Sequence, residues 1–420
     1  GNTAVGYFSS VSNVTGTCNT AVGNLAGRNN NSDENVFIGY EAGCNNLCGS
    51  NVFIGSRAGK NSAGTSQNNT IIGRSAFENG RGSYNVVLGR QSLHSTGQSQ
   101  NYNTALGFQT LCKNTTSCNV AIGSQSGFNN TTGTMTAVGY QSLYDNTTGV
   151  DNTAVGFLTL TNNTIGTCNT AIGVCALQDN TTGGSNTAVG FRALCNNTTG
   201  ISNTAVGVRA LHGNLYGVKN TSVGESAMQN NSVGVHNIAM GYQALVSLAG
   251  GNHNTGIGTC ALYTTLNSFN TAVGSNAGKL QGTQSAKYNI YLGYNAGCDL
   301  TTGAGNIIIG TVQPDSNTGD RQLKIAGYDG STTTTWISGD SSGNLTTVGD
   351  ITLANDKKVI FGDAGEHIYG DGTNLQIRSS NSLGIDVPNG ITLDSGSGGT
   401  VLRAGGGTTY GTLTSSSGDF

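Results

Sequence analysis

The chain has 420 residues, of which 67 are Gly and only 2 are Pro; 9% are charged, 35% are hydrophobic, and the formal net charge is −3. Few disordered proteins combine so little charge with that apolar content, and nothing is basic enough to form a nucleic-acid-binding stripe. No apolar run is long enough to cross a bilayer as a helix, so no membrane insertion is expected.

From the N-terminus the chain repeats one phrase. Aligned on the glycine that closes each Asn-Thr-Ala-Val-Gly-like stretch, nineteen anchors run from Gly6 to Gly310, spaced 16 to 19 residues apart and most often 17. Gly156, Gly173, Gly190 and Gly207 show the phase most cleanly. Asn stands four before the anchor, as at Asn152, Asn169, Asn186 and Asn203, with Met135 the one exception. Three before is always Thr, Val or Ile, and one before is always aliphatic or Met, as at Val155, Ile172, Val189 and Val206. A period this short, without 3.6-residue spacing, predicts one coil of a parallel β-solenoid rather than a helical hairpin.

Positions minus-three and minus-one differ by two and so share a face of a strand. Their restriction to β-formers predicts that they line the core, while the variable minus-two residue (Ala4, Phe37, Ile71, Tyr291) faces a more tolerant environment. The anchor Gly predicts a backbone corner, and Asn-Thr-Thr-Gly at Asn146, Asn180 and Asn197 predicts turns. Stacked at about 4.8 Å, the minus-four Asn would form a ladder of amides, and eighteen steps would make a rod of roughly 85–90 Å. About three inward apolar positions per coil make only a thin slab, which favours an intertwined homotrimer that hides the remaining apolar face, with a single-chain solenoid as the alternative.

All ten cysteines precede Gly310. Cys44 with Cys48, and Cys112 with Cys118, are close enough in one loop to be disulfide partners; the alternative is free thiols acting as small apolar fillers. There is no Cys-x-x-Cys pair and the five His are scattered, so neither metal nor cofactor is expected. Asp145 and Asp179 share a phase two coils apart, roughly 10 Å, which slightly exceeds the separation of an inverting carboxylate pair, so they read as turn residues and no enzymatic activity is expected. Tyr7, Tyr40, Phe108, Tyr140, Phe157, Phe191, Tyr242 and Tyr294 all follow an anchor. Such a row could stack on sugars, but packing between chains is the favoured expectation. Twelve of the minus-three residues are Thr, a row that could bind ice on a flat solenoid; burial beside the minus-one aliphatics is expected instead.

Near Thr311–Gly319 the character changes. Up to Gly310 there are 12 Lys/Arg and 9 Asp/Glu, whereas from Thr311 onward there are 6 and 12, together with both prolines and the single Trp336. Two domains are therefore expected: a repeat shaft over 1–310 and a slim, β-rich segment over 311–420. The stretches NLTTVGDITL, KKVIFGDAGEHIYGDG, TNLQIRSS, GITLDS and TTYGTLT read as short strands with tight turns. The chain opens mid-phrase at Gly1 without Met or a secretory signal, which reads as a fragment or a processed product.

The phrase in TAVGYQSLYDNTTGVDNTAVGFLTL (Thr136–Leu160), repeated over about residues 1–310, resembles the repeats of bacteriophage and other viral tail-fibre proteins. It is also similar to the shorter head repeats of bacterial trimeric autotransporter adhesins, which implies a left-handed β-roll in a trimer. The segment GDITLANDKKVIFGDAGEHIYGDGTNLQI (Gly349–Ile377) looks like fibre and virion structural proteins, those of marine cyanobacterial phages in particular. The two resemblances together imply a virion-surface fibre that supports host attachment, partnered by itself, by other virion proteins and by a host receptor or glycan. They also imply a C-terminal self-cleaving chaperone domain in many such fibres; none is seen before Phe420. The alternatives are a bacterial surface adhesin that binds matrix or glycan, and a glycan-degrading tailspike.

Overall fold

The computed structural model describes residues 1–352 apart from 63, 65, 95–99 and 281–285, and beyond them the strands within 358–360, 367–370, 375–378, 400–403 and 409–413. Each repeat forms one coil of a parallel β-solenoid. Nineteen strands of three or four residues, numbered in chain order from β1 (Thr3–Val5) to β19 (Ile307–Ile309), all end one residue before an anchor glycine. Each pairs in parallel and in register with the next. Across β10 (Asn152–Val155), β11 (Thr170–Ile172) and β12 (Thr187–Val189), Thr153 faces Thr170 and then Thr187, and Val155 faces Ile172 and then Val189. No helix occurs among the described residues.

The anchor glycine makes the corner for two separate reasons. At Gly190 φ is +133°, outside the range of side-chain-bearing residues, and an added Cβ would lie 2.5 Å from the carbonyl oxygen of Gly207. Beyond the corner the chain runs back with alternate residues in the left-handed region, such as Leu158 (φ 53°) and Leu160 (φ 50°). The amides of these two left-handed residues point in opposite directions along the stack. Leu158 N–H donates back to Tyr140 O (3.0 Å), and Leu160 N–H donates forward to Ala176 O (3.1 Å). Each such non-glycine residue costs on the order of 1–2 kcal/mol of backbone strain, which the stacked hydrogen bonds and the burial of the Leu side chain, about 2 kcal/mol, offset.

The core inverts the expected facing. The minus-two residues are buried: Ala154, Ala171, Ala188 and Ala205 have no exposed surface, nor do Phe37, Ile71 and Tyr291. The minus-one residues point outward, with Val155 36%, Ile172 42% and Val206 36% exposed, and Val189 half-buried. The minus-three Thr153, Thr170, Thr187 and Thr204 are half-buried beside them, so the Thr row is not in the core either. The three inward apolar positions per coil are minus-two, plus-three (Ala176, Ala193, Ala210) and plus-four (Leu177, Leu194, Leu211).

The variation at minus-two is therefore compensation within a packed interior rather than tolerance. Where the residue is aromatic, the plus-four neighbours are glycine. Phe37 fills the space between Gly27 and Gly43, and Tyr291 that between Gly278 and Gly297; a Cβ added at Gly27 would lie 2.7 Å from the Phe37 ring, and one at Gly278 2.7 Å from the Tyr291 ring. Where it is Ala, Leu returns at plus-four in most coils. Each ring takes the space that side chains at those glycines would fill, as close packing requires.

The solenoid does not end at the last repeat. β20 (Leu323–Tyr328) pairs in parallel with β19, and β21 (Thr333–Gly339) and β22 (Leu345–Thr347) then add antiparallel strands. The first compact unit thus spans Gly1–Gly349, so residues 311–349 belong with the coils, and the second spans Asp350–Phe420. The second unit contains β23 (Lys358–Ile360), β24 (His367–Gly370) and β25 (Leu375–Arg378) as an antiparallel sheet, and β26 (Thr400–Arg403) paired with β27 (Thr409–Leu413). The expected strand in GITLDS lies outside the described residues, and β26 falls where the sequence suggested none.

Candidate functional site

The feature repeated most often is polar and buried. Each minus-four Asn after Asn2 is buried, and its side chain bridges neighbouring coils. Asn186 donates from Nδ2 to Asn169 Oδ1 (3.2 Å) and to Gly200 O (2.8 Å); its own Oδ1 accepts from Asn203 N (3.0 Å) and Asn203 Nδ2 (3.2 Å). Asn169 and Asn203 repeat these bonds, and Asn152, which follows Met135, keeps those to Gly166 O and from Asn169. The expected ladder therefore forms, and its oxygens also accept from the backbone N–H of the next rung. It skips the side chain at Met135, whose backbone N–H still bonds Asn119 Oδ1 (2.9 Å), and it resumes at Asn152. The ladder continues past the repeats to Gln322, which donates from its backbone N–H to Asn306 Oδ1 (2.8 Å).

A second ladder runs through the Asn-Thr-Thr-Gly turns. Asn130, Asn146, Asn163, Asn180, Asn197 and Asn214 are all fully buried, and each donates from Nδ2 to the Asn one coil before it at 2.7–2.9 Å. Each also closes its own turn, as Asn197 Nδ2 does on Gly200 O (3.1 Å). Sequence reasoning took these as turn residues alone. The signal that could have found them is their shared phase at plus-seven over many consecutive coils.

The outward sheet face forms a continuous uncharged surface. Its minus-three and minus-one columns hold 38 residues over nineteen coils, none of them charged. The exposed plus-one aromatics run beside it, with Tyr140 and Phe157 stacked at a centroid distance of 5.3 Å. With strands about 10 Å wide and 4.8 Å apart, the face measures roughly 900 Å². This is the kind of exposed apolar patch that marks a contact surface.

The ten cysteines are free thiols. Cys44 Sγ lies by Asn45 Oδ1 of its own coil, and the Cys48 thiol contacts the carbonyl of Gly64 one coil on. Burial raises the thiols of Cys44, Cys48 and Cys112 above the usual range; Cys118 is exposed. Cys195 is pushed up to about 11 by burial first and then by the negative charge of Asp179. Asp145 and Asp179 each accept from an Asn one coil before, Asn129 Nδ2 (2.8 Å) and Asn162 Nδ2 (3.0 Å). Among the described residues no three His, Cys, Asp or Glu side chains converge as metal ligands, and no helix is long and apolar enough to cross a membrane. Comparison with family models, with curated proteins and with solved structures returns no match.

Proposed function

We propose that this chain is a structural component of an extended extracellular fibre on a virion surface, assembled from three copies and supporting host attachment. The uncharged outward face is the observation that carries the reading. A side-chain column that stays aliphatic or Met through nineteen coils while pointing out of its own chain is under a restraint that the chain itself does not supply. Two further copies supply it. Three such faces about one axis close a dry triangular interior, and roughly 900 Å² per chain meets the ~800 Å² per partner of a stable interface. The plus-one aromatics then pack along its margins. The winding implied by the resemblance to adhesin head repeats is left-handed, and the resemblance to viral fibres favours the virion over a bacterial surface. Mechanically, the two amide ladders and the parallel backbone bonds give reach and stiffness.

Sedimentation equilibrium and electron microscopy of the full chain test this. The expected mass is three times 42.6 kDa, with a rod of roughly 85–90 Å for the repeats. Ile172→Arg with Val189→Arg should give monomers that keep their β circular dichroism, because each buried guanidinium would lack a partner. A monomeric parent chain at micromolar concentration, or an unchanged mass in the double variant, overturns the proposal.

A further inference from the structure

The single tryptophan lies where the parallel stack gives way to the antiparallel strands. Between Ile325/Ala326 of β20 and the facing strand β21 the register slips, which leaves Trp336 as the unpaired extra residue. Such a bulge re-aims a side chain. The indole lies across Gly327, where an added Cβ would be 2.5 Å from its Cζ2. Glycine there lets the ring lie flat on the backbone, yet Trp336 stays 57% exposed, and Tyr328 beside it 51%. The glycine beneath the ring distinguishes Trp336 from the other exposed aromatics of the chain: it leaves one indole face on the backbone and the rest open to solvent.

These two rings border a hollow of about 290 Å³, lined also by Gly327, Asp329, Thr332 and Thr334. Asp329 is fixed before any ligand arrives. Its Oδ1 accepts from Thr332 N (2.7 Å), Ser331 N (2.9 Å) and Ser331 Oγ (3.0 Å), while Oδ2 takes none of these bonds. Those backbone amides hold the carboxyl below the usual carboxylate range, with Thr332 the strongest. The Tyr328 hydroxyl is similarly held, donating to Gly330 O (2.8 Å).

We infer that the Trp336–Tyr328–Asp329 hollow is a binding subsite for one neutral hexopyranose unit of a glycan. The chemistry matches on each side. A pyranose offers an apolar C–H face to an aromatic ring and a rim of hydroxyls to a carboxylate and to threonine hydroxyls. The volume is at the low end for ligand sites, which suits a single ring. No Lys or Arg lines the hollow and its one charge is negative, so acidic sugars, phosphates and nucleic acids are disfavoured. The subsite deepens the fibre reading, on which its biological sense rests, by placing a glycan contact at the C-terminal end of the coils.

Because Trp336 is the only tryptophan among 15 tyrosines, emission excited at the red edge, where tyrosine does not absorb, reports on this hollow. Methyl α-D-mannopyranoside, methyl β-D-galactopyranoside and the methyl glycoside of N-acetylglucosamine are titrated in turn to about 50 mM, since one sugar ring on one hollow is a millimolar event. A saturable change in emission is expected with at least one of them. Tyr328→Ala should abolish it. Asp329→Asn keeps an oxygen for the turn amides but replaces the second with a donor, and should weaken binding at least tenfold while leaving circular dichroism unchanged. No saturable change with any of the three glycosides overturns the inference, as does an unchanged affinity in Asp329→Asn. The sedimentation result is independent: a trimer that binds no glycoside removes the subsite and leaves the fibre, whereas a monomer that binds removes the trimer and leaves the subsite.

Discussion

Asn186→Ala distinguishes a ladder that holds the coils together from a row of amides that merely fits. The truncation removes two donated and two accepted bonds. Three of the four partners keep another. Gly200 O still accepts from Asn197 Nδ2 (3.1 Å), Asn203 Nδ2 still donates to Gly217 O (2.8 Å), and Asn169 Oδ1 still accepts from the backbone N–H of residue 186 (3.0 Å). The backbone N–H of Asn203 is the group left buried without its acceptor. An orphaned buried amide costs about 1–3 kcal/mol, and three weakened contacts add about 0.5–1 kcal/mol each, so the expected loss is about 4 kcal/mol. Asn197→Ala in the second ladder strands a side-chain oxygen, that of Asn180, and no backbone amide; carbonyl oxygens tolerate this better than N–H groups, so about 2 kcal/mol is expected. Exposed Lys219→Ala serves as the control. Urea unfolding followed by circular dichroism reads the differences, provided that the denaturant slope is the same for all three. If Asn186→Ala falls within about 1 kcal/mol of the control, or costs less than Asn197→Ala, the backbone-anchoring role given to the first ladder is refuted.

Size compensation in the core predicts a rescue. Gly43→Ala places a methyl group against the Phe37 ring and forces a non-glycine residue into a positive φ of 56°, so a loss of about 2–4 kcal/mol is expected from overpacking and strain together. Adding Phe37→Leu should recover part of that loss in the same urea assay, although Phe37→Leu alone destabilises. Among the cysteines, exposed Cys18, Cys118 and Cys168 should react with a maleimide within minutes at pH 8. Cys195, buried and with its thiol pushed up to about 11, should carry only about a thousandth of its molecules as reactive thiolate and lag by at least tenfold. Mass spectrometry of timed digests checks the order.

The sequence already showed the period, the strand positions, the glycine corner and the first Asn ladder, because each rests on one residue type recurring at one phase. It did not show which side of the strand faces in. A period of two says that Val155 and Thr153 share a side, but with Ala154 between them both sides are apolar, and uniformity was taken for burial. The interior instead varies in a coupled way, Phe37 with Gly43 and Tyr291 with Gly297, and that coupling between minus-two and plus-four was legible had the two positions been compared. The left-handed Leu158 and Leu160 could not be anticipated, since Leu has no preference for that conformation and adopts it because stacked neighbours demand it. Nor could the Trp336 hollow, which depends on a bulge created by pairing between β20 and β21.

The bulky rings at either end of the repeats have a consequence for assembly. The coils from Ala137 to Ala205 are nearly interchangeable, so a growing stack could skip one and still satisfy every local bond. Phe37 and Phe53 near one end and Tyr291 near the other fit only opposite their own glycines. They act as index marks that allow a single alignment of an otherwise slippable chain.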